Sequence, residues 1–198
     1  MEIAPGIEDR EWRALRLNDP ASPDWSRAVE ILSSRIYDRF IDPVDLLINV
    51  ENTTPARQRR FGFAIVALDC LLIETMGAFI QGLIDTKGLS GELFRHVLMS
   101  RPRFSPYFPN EATADQFYRE FRCGILHQAE VRGQSRVWSV GDMIWHDGDG
   151  LVVNRNLFHE ALKAEFDSYL DELRLARNGN LRANFRNKMD FISGAQRR

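Results

Sequence analysis

A chain of 198 residues that is 44% apolar and 27% charged has material for one domain with a full core and a few appendages. Its formal net charge of −2 excludes the global basic field that drives non-specific nucleic-acid binding, so RNA contacts would have to come from local patches. Two cysteines, Cys70 and Cys123, are too few for a disulfide framework and read as buried free thiols of a reducing cytoplasm.

Residues 1–23 hold Pro5, Pro20 and Pro23 among acidic side chains and read as an N-terminal arm, with a short helical turn between Glu8 and Leu17. The opening residues carry neither a positive leader nor a long apolar run, so no export signal is expected. Residues 24–177 read as one helical domain. Its first helix takes Ser22 or Asp24 as cap and buries Val29, Leu32, Ile36 and Phe40. Asp42-Pro43 breaks or restarts it, because proline disfavours helix at the preceding residue, and a short helix follows over 44–50.

Thr53-Thr54-Pro55 opens a long helix over 56–84. Its first turn contains Arg57, Arg59 and Arg60, which oppose the helix dipole. Beyond them apolar residues occupy nearly every face, as in a buried central helix, with Gly77 and Gly82 marking close contacts or its loosening end. A membrane span is not expected, because Asp69 and Glu74 would each cost about 2.5–3.5 kcal/mol on insertion. A turn over 86–90 leads to a short helix over 91–99 and an ordered loop over 101–110, pinned by Phe104, Tyr107 and Phe108.

Thr113 or Asp115 caps the next helix, which runs to about Glu130. The only β-like stretch lies near residues 135–154, where Asp147-Gly148-Asp149-Gly150 supplies a turn, and a small hairpin or meander is expected. Asn154 or Asn156 then caps a long helix ending near Arg177, with Leu157, Ala161, Ala164, Ser168 and Leu175 as its face and Phe158, Leu162, Phe166 and Leu173 beside them. Residues 178–198 form a basic C-terminal tail. Its Arg182, Arg186 and Lys188 join Arg57, Arg59 and Arg60 as candidate nucleic-acid contacts.

The chemistry concentrates in residues 117–128. Phe117, Phe121 and Ile125 recur at intervals of four along one helical stripe, and against them stand Arg122, the small pair Cys123-Gly124, and His127. A glycine inside a helix costs about 1 kcal/mol relative to alanine, so Gly124 implies close approach by another backbone. In a regular helix Arg122 and His127 stand roughly 140° apart, which favours a site between two helices. Arginine offers a permanent forked cation, and histidine a group able to move a proton near neutral pH. Asp69 and Glu74 need partners amid leucines, and Arg122 or Arg119 is the natural candidate. The plain alternative pairs Arg122 with a core acid and leaves His127 to cap a helix end.

Arg122-x4-His127 resembles the Arg-x4–6-His motif of HEPN domains, and the stretches over 67–74 and 39–45 extend the resemblance across about residues 22–169. It implies a mainly α, HEPN-like helical bundle that forms a homodimer and acts as a metal-independent ribonuclease in a toxin–antitoxin, stress or antiviral defence setting. Arg122 and His127 would be catalytic, with Asp69, Glu74, Arg119, Cys123 and Gly124 orienting or supporting them. RNA, and a protein partner such as an antitoxin, would be the ligands. Cys123 stands where active members often carry Asn, Asp or His. That sets a second expectation, a catalytically silent module that dimerises and binds a nucleotide, RNA or a protein. A helical scaffold of unrelated fold is the third. Cys123 and His127 at i,i+4 could share a metal, but two ligands alone do not make a site. His96, His146 and His159 show no ligand spacing with the cysteines, and no calcium loop or glycine-rich phosphate loop calls for a metal or cofactor.

Overall fold

The structure is a computed structural model that describes residues 1–175 and 179–195. It is mainly helical, with two small sheets. The expected domain boundary at residues 177 and 178 lies outside the described residues.

The first 23 residues do not hang free as an arm. β1 (Glu2–Ala4) pairs antiparallel with β2 (Ile7–Glu8), and α1 (Asp9–Ala14) follows. Pro5, Pro20 and Pro23 are exposed, but Ile3, Ala4, Ile7, Trp12 and Leu17 enter the common core. The Trp12 indole N–H donates to Asp190 at 2.7 Å, which ties the two ends of the chain together.

α2 (Asp24–Ile36) starts at a turn where the Ser22 hydroxyl accepts the Asp24 N–H, and it buries Val29, Leu32 and Ile36. It does not break at Asp42-Pro43. A π turn (Tyr37–Ile41) runs directly into α3 (Asp42–Thr53), and Pro43 falls in the first turn of α3, where a missing N–H costs nothing. Glu51 of α3 is 1% exposed, accepts the N–H groups of Arg60 (2.5 Å) and Phe61 (2.8 Å), and pairs with Arg155. Burial pushes its carboxyl up, but those N–H groups and the guanidinium outweigh it and hold the group below its ordinary value. This anchor keeps residues 56–61 outside the long helix, with Ala56–Gln58 in a 3₁₀ turn. The basic turn therefore does not oppose the dipole of α4 (Gly62–Gln81).

α4 is the central helix. It has the length and hydropathy of a membrane span, yet 56% of its most apolar window is buried inside this fold. Ile65, Val66, Cys70, Leu72, Ile73, Met76 and Phe79 pack against the helices around it. Its end at Gly82 is left-handed (φ +71°), and a Cβ there would lie 2.8 Å from the Asn184 Cα. Only glycine allows so close an approach. α5 (Ser90–Ser100) follows, then an ordered loop whose Phe104 and Phe108 are buried. Next come α6 (Glu111–Phe117), a second π turn (Tyr118–Cys123) and α7 (Gly124–Gln128).

β3 (Arg136–Trp138), β4 (Ile144–Asp147) and β5 (Gly150–Asn154) make a sheet in the order β3-β5-β4. The β4–β5 hairpin turns where expected, but β3 lies parallel to β5, so the strands are not a meander. Ser135 explains this. Its hydroxyl accepts the Leu151 N–H at 2.7 Å and donates to the Glu120 carboxylate, which sets the start of β3 beside the start of β5.

α8 (Arg155–Arg174) takes its cap from the Asn154 side chain, which accepts the Asn156 and Leu157 N–H groups. Its buried face is Phe158, Leu162, Phe166, Tyr169, Leu170 and Leu173, whereas Leu157 and Leu175 are exposed. The expected basic tail is instead a helix, α9 (Gly179–Ile192), packed on α4. Arg182, expected on phosphate, is 6% exposed: it donates to the carbonyls of Leu173, Arg174 and Pro20 and stacks over Trp25. It closes the end of α8 rather than facing solvent.

Asp69 pairs with His159 and not with an arginine. Its carboxylate lies 2.7 Å from His159 Nδ1, and both residues are 1% exposed. His159 Nε2 stands 3.3 Å from Asp45 of α3, off the line of a hydrogen bond, and Asp45 also pairs with Lys163. Burial alone would lower the His159 pKa, but Asp69 outweighs it and the net shift is upward, while burial pushes the Asp69 carboxyl up against the pull of His159. A raised value means that the folded protein keeps a proton that the unfolded chain releases. The His159 contribution is therefore present near pH about 6, where Asp69 is ionised, and disappears as pH climbs through the raised value. His159→Gln is expected to cost about 3–5 kcal/mol of unfolding free energy near pH 6, with the gap to the parent chain narrowing toward pH 9. Urea denaturation across that range measures it, and a gap independent of pH would contradict the charged pair.

Candidate functional site

Asn110 caps the helix that carries the motif, accepting the Thr113 N–H at 3.0 Å, in place of Thr113 or Asp115. Phe117 and Phe121 are buried with rings stacked at 4.7 Å, and Phe117 also packs on Phe94, Phe108 and Phe158. This aromatic floor fixes the turn above it.

That turn is the π turn, which ends at Cys123, so Arg122 belongs to it and His127 to α7. The chain from Gly124 to His127 is α-helical, so the contact between the two side chains is made by the length of the arginine. Arg122 and His127 are five apart, and Arg122 Nη1 comes 3.4 Å from His127 Nε2, long for a hydrogen bond but in contact. In that contact the guanidinium donates and Nε2 accepts. Gly124 begins α7 directly after the π turn, and a Cβ there would lie 2.5 Å from the Glu130 carbonyl oxygen. The close backbone is the chain's own: it reverses at Ala129, ending the helix at Gln128, and the Arg132 N–H then donates to the Glu120 carbonyl.

The second element at the site is α4, through Glu74. One carboxylate oxygen accepts from Arg122 Nη2 at 2.9 Å, and the other accepts the hydroxyls of Ser90 (2.8 Å) and Thr86 (3.1 Å). Arg122 also lies over the Tyr118 ring, 5.6 Å from its centroid. Its side chain is only 15% exposed, and its Nε is buried without a partner. Burial draws the guanidinium's pKa down, but Glu74 outweighs burial and the net shift is upward. His127, by contrast, is exposed. The site thus offers a fixed, half-neutralised cation touching an imidazole at the surface.

Beneath it sit the cysteines, both free, with Cys70 buried and Cys123 only partly so. Burial, and then the Cys123 thiol, push the Tyr118 hydroxyl up.

Not every expected residue joins. Asp69 belongs to the His159 pair, and Arg119 points outward to Asp115, 65% exposed. Arg57 and Arg60 are exposed near the start of α4, ~18 Å along the axis from Glu74. Arg59 is committed to the Thr54 carbonyl and the Ser139 hydroxyl. Arg186 bonds Asn18 and Asp190, and Lys188 donates to the Ile84 carbonyl. These cations do not form one patch with Arg122.

Tyr118, Thr86 and Ser90 were not anticipated. Tyr118 sits four residues before Arg122, a spacing that pairs side chains on a helix. Thr86 and Ser90 reach Glu74 only because the chain folds back after α4. Among the described residues, no group of three or more His, Cys, Asp or Glu is placed to hold a metal ion. No protein-family model, curated protein or solved structure matches the chain.

If Glu74 holds Arg122 in solution, the two substitutions are coupled. Glu74→Ala and Arg122→Ala should together destabilise less than the sum of the single changes, with a coupling of about 0.5–3 kcal/mol in urea denaturation. A coupling of zero would mean that the pair does not form.

Proposed function

We propose that the chain is a HEPN-like, metal-independent endoribonuclease that works as a homodimer in the cytoplasm, in a toxin or antiviral-defence role. The observation that carries this reading is the contact of Arg122 with His127 while Glu74 holds the guanidinium from the other side. RNA brings its own nucleophile. As the substrate phosphate draws the Arg122 N–H away from Nε2, that lone pair is freed, and His127 takes the proton of a 2′-OH while that oxygen attacks the adjacent phosphorus. The bond to the 5′ oxygen breaks, and the products are a 2′,3′-cyclic phosphate and a 5′-OH. Arg122 stabilises the extra negative charge on the pentacoordinate phosphorus.

One imidazole cannot remove a proton and donate another in the same step, so the leaving oxygen needs a second acid. A second copy would bring the matching histidine. Apolar side chains left uncovered around the site favour that arrangement: Leu71 is 36% exposed one turn before Glu74, and Leu126, beside His127, is 37% exposed.

One observation favours the alternative of a catalytically silent binding module. Glu74 already balances much of the Arg122 charge, leaving less to attract an anion. Activity separates the two. The full chain should cleave single-stranded RNA in the presence of EDTA and leave 2′,3′-cyclic ends. His127→Ala should slow this at least about a hundredfold without changing the thermal midpoint, and Leu71→Glu should abolish both dimer and cleavage. Cleavage that survives His127→Ala, or is absent altogether, overturns the nuclease reading, and the second result leaves the silent module.

A further inference from the structure

A cavity of about 350 Å³ lies between α2, the π turn that follows it, α4 and α9. Three cations line it: Arg35 and Arg39 from the α2 side, and Lys188 from α9. None of them has a carboxylate partner among the described residues. Arg35 gives one N–H to the Ile3 carbonyl, Lys188 donates to the Ile84 carbonyl, and Arg39 bonds nothing in the protein. Thr75, on the α4 wall, adds a hydroxyl that also bonds nothing. Glu74 and Thr86 add polar groups, and Ile36, Phe40 and Leu71 give the wall an apolar part.

The geometry points to a binding site for a phosphate monoester with an apolar or planar body, of the nucleoside monophosphate class. Like charges gathered in a partly desolvated pocket repel one another, and a dianion among them removes that cost. The repulsion is visible in Arg35, whose pKa burial and the neighbouring Arg39 hold down at about 10. Burial likewise lowers Lys188, while Asp85 nearby pulls the other way. Glu74 also lines the cavity, but its charge is already met by Arg122 and by the hydroxyls of Thr86 and Ser90. A lone phosphate would leave the apolar wall uncovered. The volume falls at the small end of ligand pockets, roughly 300–1,000 Å³, and so suits one nucleotide rather than a length of polymer. Glu74 stands between this cavity and Arg122, lining the one and bonding the other. The proposal does not depend on cleavage, because it is read by binding alone.

Isothermal titration of the full chain tests it, with AMP, adenosine, inorganic phosphate, and an oligoribonucleotide carrying either a 5′-phosphate or a 5′-OH. AMP should bind saturably and about tenfold or more tighter than adenosine or inorganic phosphate. Arg39→Ala and Lys188→Ala should each weaken it about tenfold. Arg39 is exposed and unpaired, so the first variant should keep its thermal midpoint. Binding by the 5′-phosphorylated oligonucleotide as well as AMP assigns the pocket to an RNA end, and binding by AMP alone assigns it to a free nucleotide. The proposal is overturned if neither binds saturably, or if both variants bind as the parent chain does.

Discussion

A helix as apolar as α4 tolerates a carboxylate only where another element brings a partner to it. It carries two, and between them they dictate much of what packs around it. Asp69, one-third of the way along, draws His159 of α8 into the core and, through His159, Asp45 of α3. Glu74, further on, draws Arg122 from the π turn and two hydroxyls from the segment that leads into α5. The first carboxylate is sealed and structural. The second stands at the edge of the core, where its arginine reaches a surface histidine. The difference between a core ion pair and a candidate site is thus a matter of five residues along one helix.

Much of this was legible in the chain. All-round apolarity marked α4 as the central helix, Asn154 or Asn156 was offered as the cap of α8 and Asn154 is the one that serves, and Asp147-Gly148-Asp149-Gly150 read as a hairpin turn, because each is a local signal. Arg122, His127 and Glu74 were singled out and do meet. What the sequence hid is non-local. A π turn leaves no mark in composition, so the helix was read as regular through Tyr118–Cys123, although the expected site between two helices is met by Glu74 of α4. The parallel seating of β3 depends on Ser135 bridging Glu120 and Leu151, a contact between residues far apart in the chain. Prolines and acids made the N-terminus look like an arm, although Ile3, Ile7 and Trp12 are core residues. Charge made Arg182 look like a surface contact, although its five donors are what the open end of α8 needs.

The arrangement at Arg122 has a cost that bears on what the site does. A guanidinium shared between a carboxylate and an imidazole is held in one orientation, which suits a group that must meet developing charge without rearranging. The same carboxylate takes up part of its field. Orientation is therefore gained at the expense of attraction, and the pull on a polyanionic ligand has to come from elsewhere. The three cations on the far side of Glu74, which lack a carboxylate partner among the described residues, are the nearest supply.

The central claim is that Arg122, braced by Glu74, donates to Nε2 of His127. That bond fixes the neutral imidazole as the tautomer with its proton on Nδ1, the less common form in solution. Long-range proton–nitrogen NMR correlation of the labelled chain, at a pH where the ring is neutral, reads the tautomer directly. The account predicts a protonated Nδ1 and a bare Nε2 for His127, reverting in Arg122→Ala. A proton on Nε2 in the parent chain would contradict it.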